Sequence, residues 1–412
     1  MLNFLMLLIS TPAFAATTDG YRSLPIAKDA APADPGQQHP VPTRSGEVHG
    51  EPVWTMLRQE KKGKQPSLKP VMTEFSVAPG LGGATLSLKA RFNGEEIQVF
   101  PERNIAEFNS AFAQDPNAPF KYFNTPLFPL TNRLLPKNFS SATSLKLGES
   151  FQADVEGISV RMVANNKNPA VGSIAHHLHG LLFSEATNDV DFQAGEKSTI
   201  RSRYRNFFRG NWVGEAEVKV EQGIFADGVF HYQIKAKNNG KGSIPMGFGS
   251  HSYFSFPGGR PEKIRLIIPA KRTAVIDNLE NVLPTGNLRK IEAKDDPLNF
   301  NRNAPGKISG KFIDNYFMLE PGEDVYLVDS EKGLKFKLHP STKNIIGVQV
   351  FYPAKGNVVA IELVTNHPDP RRELWGKEPT GMRVYAPGED ASYGYTIEIL
   401  PLAPGDLMRN HS

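Results

Sequence analysis

Apolar and polar residues alternate with period two in stretch after stretch of this 412-residue chain, and that pattern excludes most folds. It runs through Ala84–Ala90 (ATLSLKA), Glu215–Val220 (EAEVKV), Val229–Lys235 (VFHYQIK), Lys263–Ile268 (KIRLII) and Tyr393–Ile399 (YGYTIEI). Side chains of an extended chain point alternately to the two faces, so such segments predict strands with one face buried. The 36 Gly and 33 Pro supply turns, with Asn93-Gly94, Asn239-Gly240 and Gly258-Gly259 marking hairpins. One helix is expected, over Arg103–Ala113, where Ile105, Phe108 and Phe112 recur at helical spacing. The expected fold is all-β, with large antiparallel sheets stacked over residues 71–402.

Apart from that domain the chain reads as address and spacer. Residues 1–15 are apolar and close in Ala13-Phe14-Ala15, the small-x-small pattern of a secretory signal peptide, although the usual basic start is missing. No later stretch reaches the length of apolar sequence that spans a bilayer. Export to the periplasm or the extracellular space is therefore expected. Residues 16–70 are interrupted by Pro25, Pro32, Pro35, Pro40, Pro42, Pro52, Pro66 and Pro70, show little apolar periodicity, and are expected to form an extended spacer. Residues 403–412 are expected to be a flexible tail.

Composition narrows the chemistry. The 47 basic and 43 acidic residues leave a net charge of +4 with no basic block, which argues against a nucleic-acid binder. With no cysteine, thiol nucleophiles, disulfides and cysteine-ligated metals are excluded. No phosphate-binding loop, serine elbow or HExxH motif occurs. Ala175–Gly180 (AHHLHG) brings His176, His177 and His179 close enough to suggest a metal, but no paired carboxylate stands at ligand spacing, so no metal is assigned. Three segments remain: Leu178-His179-Gly180, the Gly- and aromatic-rich Met246–Phe254 with His251 inside it, and the apolar Val358–Asn366, which only Glu362 interrupts with a charge. A carboxyl in such surroundings has a raised pKa unless paired, as suits a general acid or base.

In this order the motifs resemble those of the aldose 1-epimerases, the galactose mutarotase-like family. The resemblance runs from about Ala84 through Ile399. It is carried by Gly83–Leu88 (GATLSL), Pro126–Arg133 (PLFPLTNR), Leu178–Leu182 (LHGLL), Gly247–Phe254 (GFGSHSYF), Asp314–Phe317 (DNYF), Ala360–Asn366 (AIELVTN) and Ala386–Glu389 (APGE). The resemblance implies a β supersandwich and an enzyme that interconverts the α and β anomers of a free aldose without a cofactor. It implies Glu362 as base on the anomeric hydroxyl, His251 as acid at the ring oxygen, and His179 orienting the sugar. Asn132, Arg133 and Asp314 would hold sugar hydroxyls, with Phe248, Tyr253 and Phe317 walling the pocket.

Departures bear on the substrate. Ser252 stands where the family has Pro, Leu181 where it has Phe, and residues from about Arg103 to Pro119 form an insertion before the Arg133 motif. Arg201, Arg203 and Arg205 share one face of a strand. They are either an anion site for a uronate or a solvated face of cross-strand ion pairs. The alternatives to an isomerase for neutral sugars are an exported, non-catalytic sugar-binding protein and an enzyme for acidic sugars. A lyase or glycosidase is a further rival, for which only Glu362 and Asp314 would serve as the two carboxylates. The expected partner is a small-molecule sugar; the sequence does not determine an oligomeric state.

Overall fold

The computed structural model describes residues 42–403, except 49, 59–68, 141–144, 168–172, 188, 194–196, 207–210, 292–294 and 303–304, together with 406. The segment expected to be a signal peptide and most of the C-terminal tail lie outside the described residues.

The period-two segments all form strands, in a nearly all-β fold of stacked antiparallel sheets. A nine-stranded sheet runs from Asp189–Gln193 through Lys197–Asn206, Ala216–Phe225, Phe230–Asn238, Asp390–Pro401, Leu334–Pro340, Val325–Asp329 and Ile264–Ile267 to Gly306–Lys307. An eight-stranded sheet runs from Pro284–Lys290 through Ala270–Ile276, Phe312–Leu319, Gly347–Pro353, Val358–Val364 and Gly249–His251 to Thr125–Leu127, with Tyr253–Ser255 also pairing to Val358–Val364. A five-stranded sheet takes in Val71–Ala78, Ala84–Phe92 and Glu95–Phe100. All three share one core. Phe100 of the third sheet packs edge-to-face on Phe230 of the first, at 6.1 Å, and on Phe254 of the second, at 5.2 Å.

The spacer expectation for residues 16–70 is corrected over residues 43–57, while residues 16–41 and 59–68 lie outside the described residues. Thr43–Val48 and Glu51–Leu57 form a hairpin that extends the five-stranded sheet. Val48, Val53 and Met56 are buried, and Trp54 meets Phe192 edge-on at 4.9 Å. Pro52 is tolerated because it stands beside the hairpin turn, opposite Glu47, at the margin of the ladder. The tail too has a tie: Asp406 pairs with Lys335 at 2.9 Å.

The helix forms over Ile105–Phe112. Asn104 caps it by accepting hydrogen bonds from the Ala106 and Glu107 backbones, and Phe108 is its buried contact. A second short helix, Ala118–Tyr122, follows directly and lies over the end of the eight-stranded sheet that carries His251.

Candidate active site

Strand register explains which residues meet. Tyr316 of Phe312–Leu319 pairs with Gln349, and Gln349 pairs with Glu362, so these three share a face with Asp314, two residues from Tyr316. Gly249 pairs with Val364 and Tyr253 with Ala360, which sets His251 and Tyr253 on that same face. The strands Phe312–Leu319, Val358–Val364 and Gly249–His251, with Gly347–Pro353 between the first two, thus deliver Asp314, Glu362 and His251 to one surface.

The other two groups come from a small ladder, Arg133–Leu134 against His177–Leu178. The His179 backbone N–H donates to Asn132 O at 2.8 Å, and both residues have left-handed backbones, φ 68° and 59°. Gly180 follows at φ 70°, where a Cβ would stand 2.6 Å from Phe128 O; only glycine fits, which explains the His-Gly pair. A buried ion pair fixes the ladder from behind: Arg371 Nη2 lies 2.6 Å from Asp369 Oδ2, and the Asp369 backbone N–H donates to Arg133 O.

At the centre His251 Nε2 lies 3.4 Å from Glu362 Oε1, with both side chains almost fully buried. The ring of His179 meets that of His251 edge-on at 4.9 Å, and Tyr253 lies 4.9 Å from His251 on another side. Arg133 Nη2 donates to Asp314 Oδ2 at 3.1 Å and Nη1 to Asn132 Oδ1 at 3.0 Å. Gln349, which sequence reasoning missed, donates from Nε2 to Asp314 Oδ1 at 2.6 Å. Also missed was Phe120, from the second helix, whose ring covers His179 edge-on at 4.7 Å and His251 at 5.8 Å. The insertion at Arg103–Pro119 was visible; that the helix ending it would cap the imidazoles was not.

Burial sets the protonation. It pushes Glu362 well above the usual carboxylate range; nearby Asp314 adds to the shift and Arg133 opposes it. Burial lowers His251 to about 3 and His179 well below its ordinary value, the charges of His251 and Arg133 adding to the latter. Burial thus disfavours the charged forms of both partners, the carboxylate of Glu362 and the imidazolium of His251. Glu362 Oε2, His251 Nδ1, His179 Nδ1 and Arg133 Nε are buried with no partner, a cluster of polar atoms that a polyhydroxylated ligand would satisfy. His179, His251 and Glu362 could also each offer one ligand atom to a cation, since those atoms lie within 4.8 Å of one another.

Other expected residues lie elsewhere. Phe317 is three residues from Asp314 and so faces the opposite side of the sheet, in the core against Phe300 at 5.6 Å. Phe248 is likewise in the core, between Phe128 and Tyr393. Neither walls the site. Of the arginine strand, Arg201 pairs with Glu221 at 2.5 Å, and Arg203 with Asp189 at 3.1 Å and Glu217 at 3.3 Å. These are cross-strand ion pairs on the nine-stranded sheet, as the second of the two readings has it; the side chain of Arg205 lies outside what is described. Of the three clustered histidines only His179 joins the site. His177 Nδ1 and Nε2 contact Val163 O and Gly180 O at 2.7 and 2.8 Å, and His176 Nδ1 contacts Ile174 O at 3.0 Å. Ser252, in place of the family's Pro, joins Ser250 and Tyr395 in a buried triangle of hydroxyls, at 2.9 and 3.0 Å.

Solved structures share this fold at low identity. A galactose mutarotase-like protein from Clostridium acetobutylicum aligns with a TM-score of 0.65 at 14% identity, covering 88% of this chain and 99% of its own. The aldose epimerase homologue of C. elegans aligns at 0.59 and 16% identity, covering 81% and 97%. A galactose 1-epimerase from Lactobacillus acidophilus aligns at 0.53 and 12%, covering 86% and 100%. No curated protein sequence matches the chain. The family model described as aldose 1-epimerase matches residues 152–378, from within the strand Ser150–Val155 to beyond the Glu362 strand. A match over more than half of the sequence decides the matter: the chain belongs to the aldose 1-epimerase family.

Proposed function

We propose that the protein is a mutarotase, an isomerase that opens and recloses the ring of a free aldose with Glu362 and His251 as its proton-transfer pair. The observation that carries this reading is the contact of Glu362 Oε1 with His251 Nε2, 3.4 Å apart, in a buried site lined with unpartnered polar atoms.

The chemistry follows from proton balance. A cyclic aldose must lose the proton of its anomeric hydroxyl while its ring oxygen gains one; the C1–O5 bond breaks and an aldehyde forms. Glu362 as carboxylate takes the first proton and His251 as imidazolium gives the second, leaving a neutral acid and a neutral imidazole. That product pair is the one burial favours, so low polarity around the pair pulls toward the open chain. Arg133, which acts on Glu362 in the opposite sense, keeps the carboxylate form within reach. After rotation about C1–C2 the aldehyde presents its other face and both transfers run backwards. The atoms balance with one proton in the pair throughout, and no further reagent is consumed.

Asp314, held by Arg133 and Gln349, offers a fixed acceptor for sugar hydroxyls, and Phe120 keeps water from the imidazoles. The test is exchange NMR on an equilibrated aldose. Added protein should produce cross-peaks between the α and β anomeric protons at mixing times where buffer gives none. Absence of such peaks for glucose, galactose and their acidic counterparts would overturn the reading.

A further inference from the structure

Three side chains able to ligate a metal converge where the sequence carries no metal motif. His179, His251 and Glu362 bring one ligand atom each within 4.8 Å of the others, and among the described residues no other three such side chains do so. Their relative exposures are 5%, 4% and 1%, so all three are held away from bulk water. Glu362 Oε2 and His179 Nδ1 are buried without a hydrogen-bond partner. Buried polar atoms left in this way call for a ligand.

Each of the three is held by a different element. Glu362 stands inside the strand Val358–Val364, with Gly347–Pro353 paired along one side and Tyr253–Ser255 along the other. His251 ends the strand Gly249–His251, opposite Thr125. His179 follows the ladder strand His177–Leu178, and its backbone N–H is bonded to Asn132 O. Aromatic rings restrain the imidazoles: Phe120 lies 4.7 Å from His179, and Tyr253 4.9 Å from His251. Asp314 is not a fourth ligand, because Oδ2 accepts from Arg133 and Oδ1 from Gln349. That pairing also balances the charge of Arg133, so a cation at the three side chains meets the carboxylate of Glu362 without a net repulsion from the arginine.

Distance and donor type select the ion. Two ligands of a tetrahedral Zn²⁺, with bonds of about 2.0–2.1 Å, stand about 3.3–3.4 Å apart. His251 Nε2 and Glu362 Oε1 are 3.4 Å apart, which is that spacing, and a small rotation of the His179 ring closes the third position. Two imidazoles with one carboxylate suit Zn²⁺ and its transition-metal neighbours, whereas Mg²⁺ and Ca²⁺ take oxygen ligands. Three protein ligands leave the fourth position to water. We propose that His179, His251 and Glu362 form a binding site for Zn²⁺, and that the bound ion holds the protein inactive. It occupies the lone pairs of Glu362 and His251 through which protons would pass to and from the sugar, and any proton on the carboxyl leaves to solvent as the ion binds. The metal is an inhibitor of the isomerisation and takes no part in it. The site stands on the geometry alone; the inhibition rests on the epimerase reading.

Calorimetric titration of the EDTA-treated protein with ZnCl₂ at neutral pH tests the site without recourse to activity. The wild type should bind one equivalent, and MgCl₂ and CaCl₂ should give no heat of binding. Co²⁺ in place of Zn²⁺ should show the visible absorption of a four-coordinate ion with nitrogen ligands. His179→Gln and Glu362→Gln, each folded by circular dichroism, should weaken Zn²⁺ binding by more than the roughly 10- to 100-fold that loss of an outer-shell partner costs. His339→Gln, which removes an exposed imidazole paired with Asp324 at 2.7 Å, should leave it unchanged. A wild type that binds no Zn²⁺, or binding that both His179→Gln and Glu362→Gln retain, would overturn the site. Mutarotation of whichever sugar the protein accelerates should fall to the buffer rate as the equivalent of Zn²⁺ binds and return with EDTA; a rate untouched by the bound ion would overturn the inhibition. If no sugar is accelerated, the epimerase reading fails on its own, and the titration still decides the site.

Discussion

Acid should unfold this protein well before most of its carboxylates titrate, because five of its histidines are buried where their charged form is disfavoured. Burial lowers His176 and His251 to about 3 and His367 to about 4, and it lowers His177 and His179 as well. In the unfolded chain each returns to an ordinary value near 6.5. Below that pH the unfolded state binds protons that the folded state refuses, so stability is present above about 6.5 and is lost as pH falls toward the folded values. Each such group contributes about 1.4 kcal/mol per pH unit. Glu362, raised by burial, acts in the opposite sense. His176, His251 and His367, whose folded values lie near 3 to 4, together give a slope of roughly 4 kcal/mol per pH unit between pH 6 and 5, to which His177 and His179 add and which Glu362 opposes. Set against the 5–15 kcal/mol typical of a folded domain, most of the stability should be gone near pH 5. Urea unfolding followed by tryptophan fluorescence at pH 8, 7, 6 and 5 reads this directly. A midpoint unchanged between pH 8 and 5 would refute the reasoning, because it would mean that the histidines are charged or hydrated in the folded state.

Other outcomes follow from particular contacts. Met56→Ala, inside the Pro-rich stretch, should lower the unfolding free energy by about 2–5 kcal/mol, as for any fully buried Met; a spacer residue would cost nothing, and a urea titration distinguishes the two. Phe120→Ala should admit water to the imidazoles, move the His251 NMR titration upward from about 3, and lower kcat/KM about tenfold, a loss of about 1.4 kcal/mol of transition-state stabilisation. Arg201→Gln and Arg203→Gln should each change stability by up to about 1 kcal/mol in chemical denaturation and leave the relative turnover of galacturonate and galactose unchanged.

Much of the fold was legible because alternation with period two has a single structural meaning. Ala84–Phe92 and Phe230–Asn238 lie where their patterns put them, and the capped helix begins within two residues of its expected start. The hairpin at Thr43–Leu57 was not legible, because scattered prolines masked the burial of Val48, Val53 and Met56. Glu362, His251, His179, Arg133 and Asp314 stood out as polar residues in apolar or glycine-bearing motifs. Phe317 misled because its motif says nothing of strand parity: three residues on from Asp314, it has to face the core. Gln349 and Phe120 carry no local signal at all. Gln349 reaches Asp314 only through a neighbouring strand, and Phe120 covers the imidazoles only once its short helix is folded across them.

The central claim is that Glu362 and His251 move the two protons of ring opening. Polarimetry of freshly dissolved α-glucose and α-galactose, with their acidic counterparts beside them, tests it with three proteins: wild type, Glu362→Gln and His251→Asn. The account predicts that wild type hastens the optical change of at least one sugar above buffer, and that each variant, folded by circular dichroism, loses at least a hundredfold of that acceleration, the least that removal of a positioned proton donor or acceptor costs. A Glu362→Gln protein as fast as wild type would contradict it.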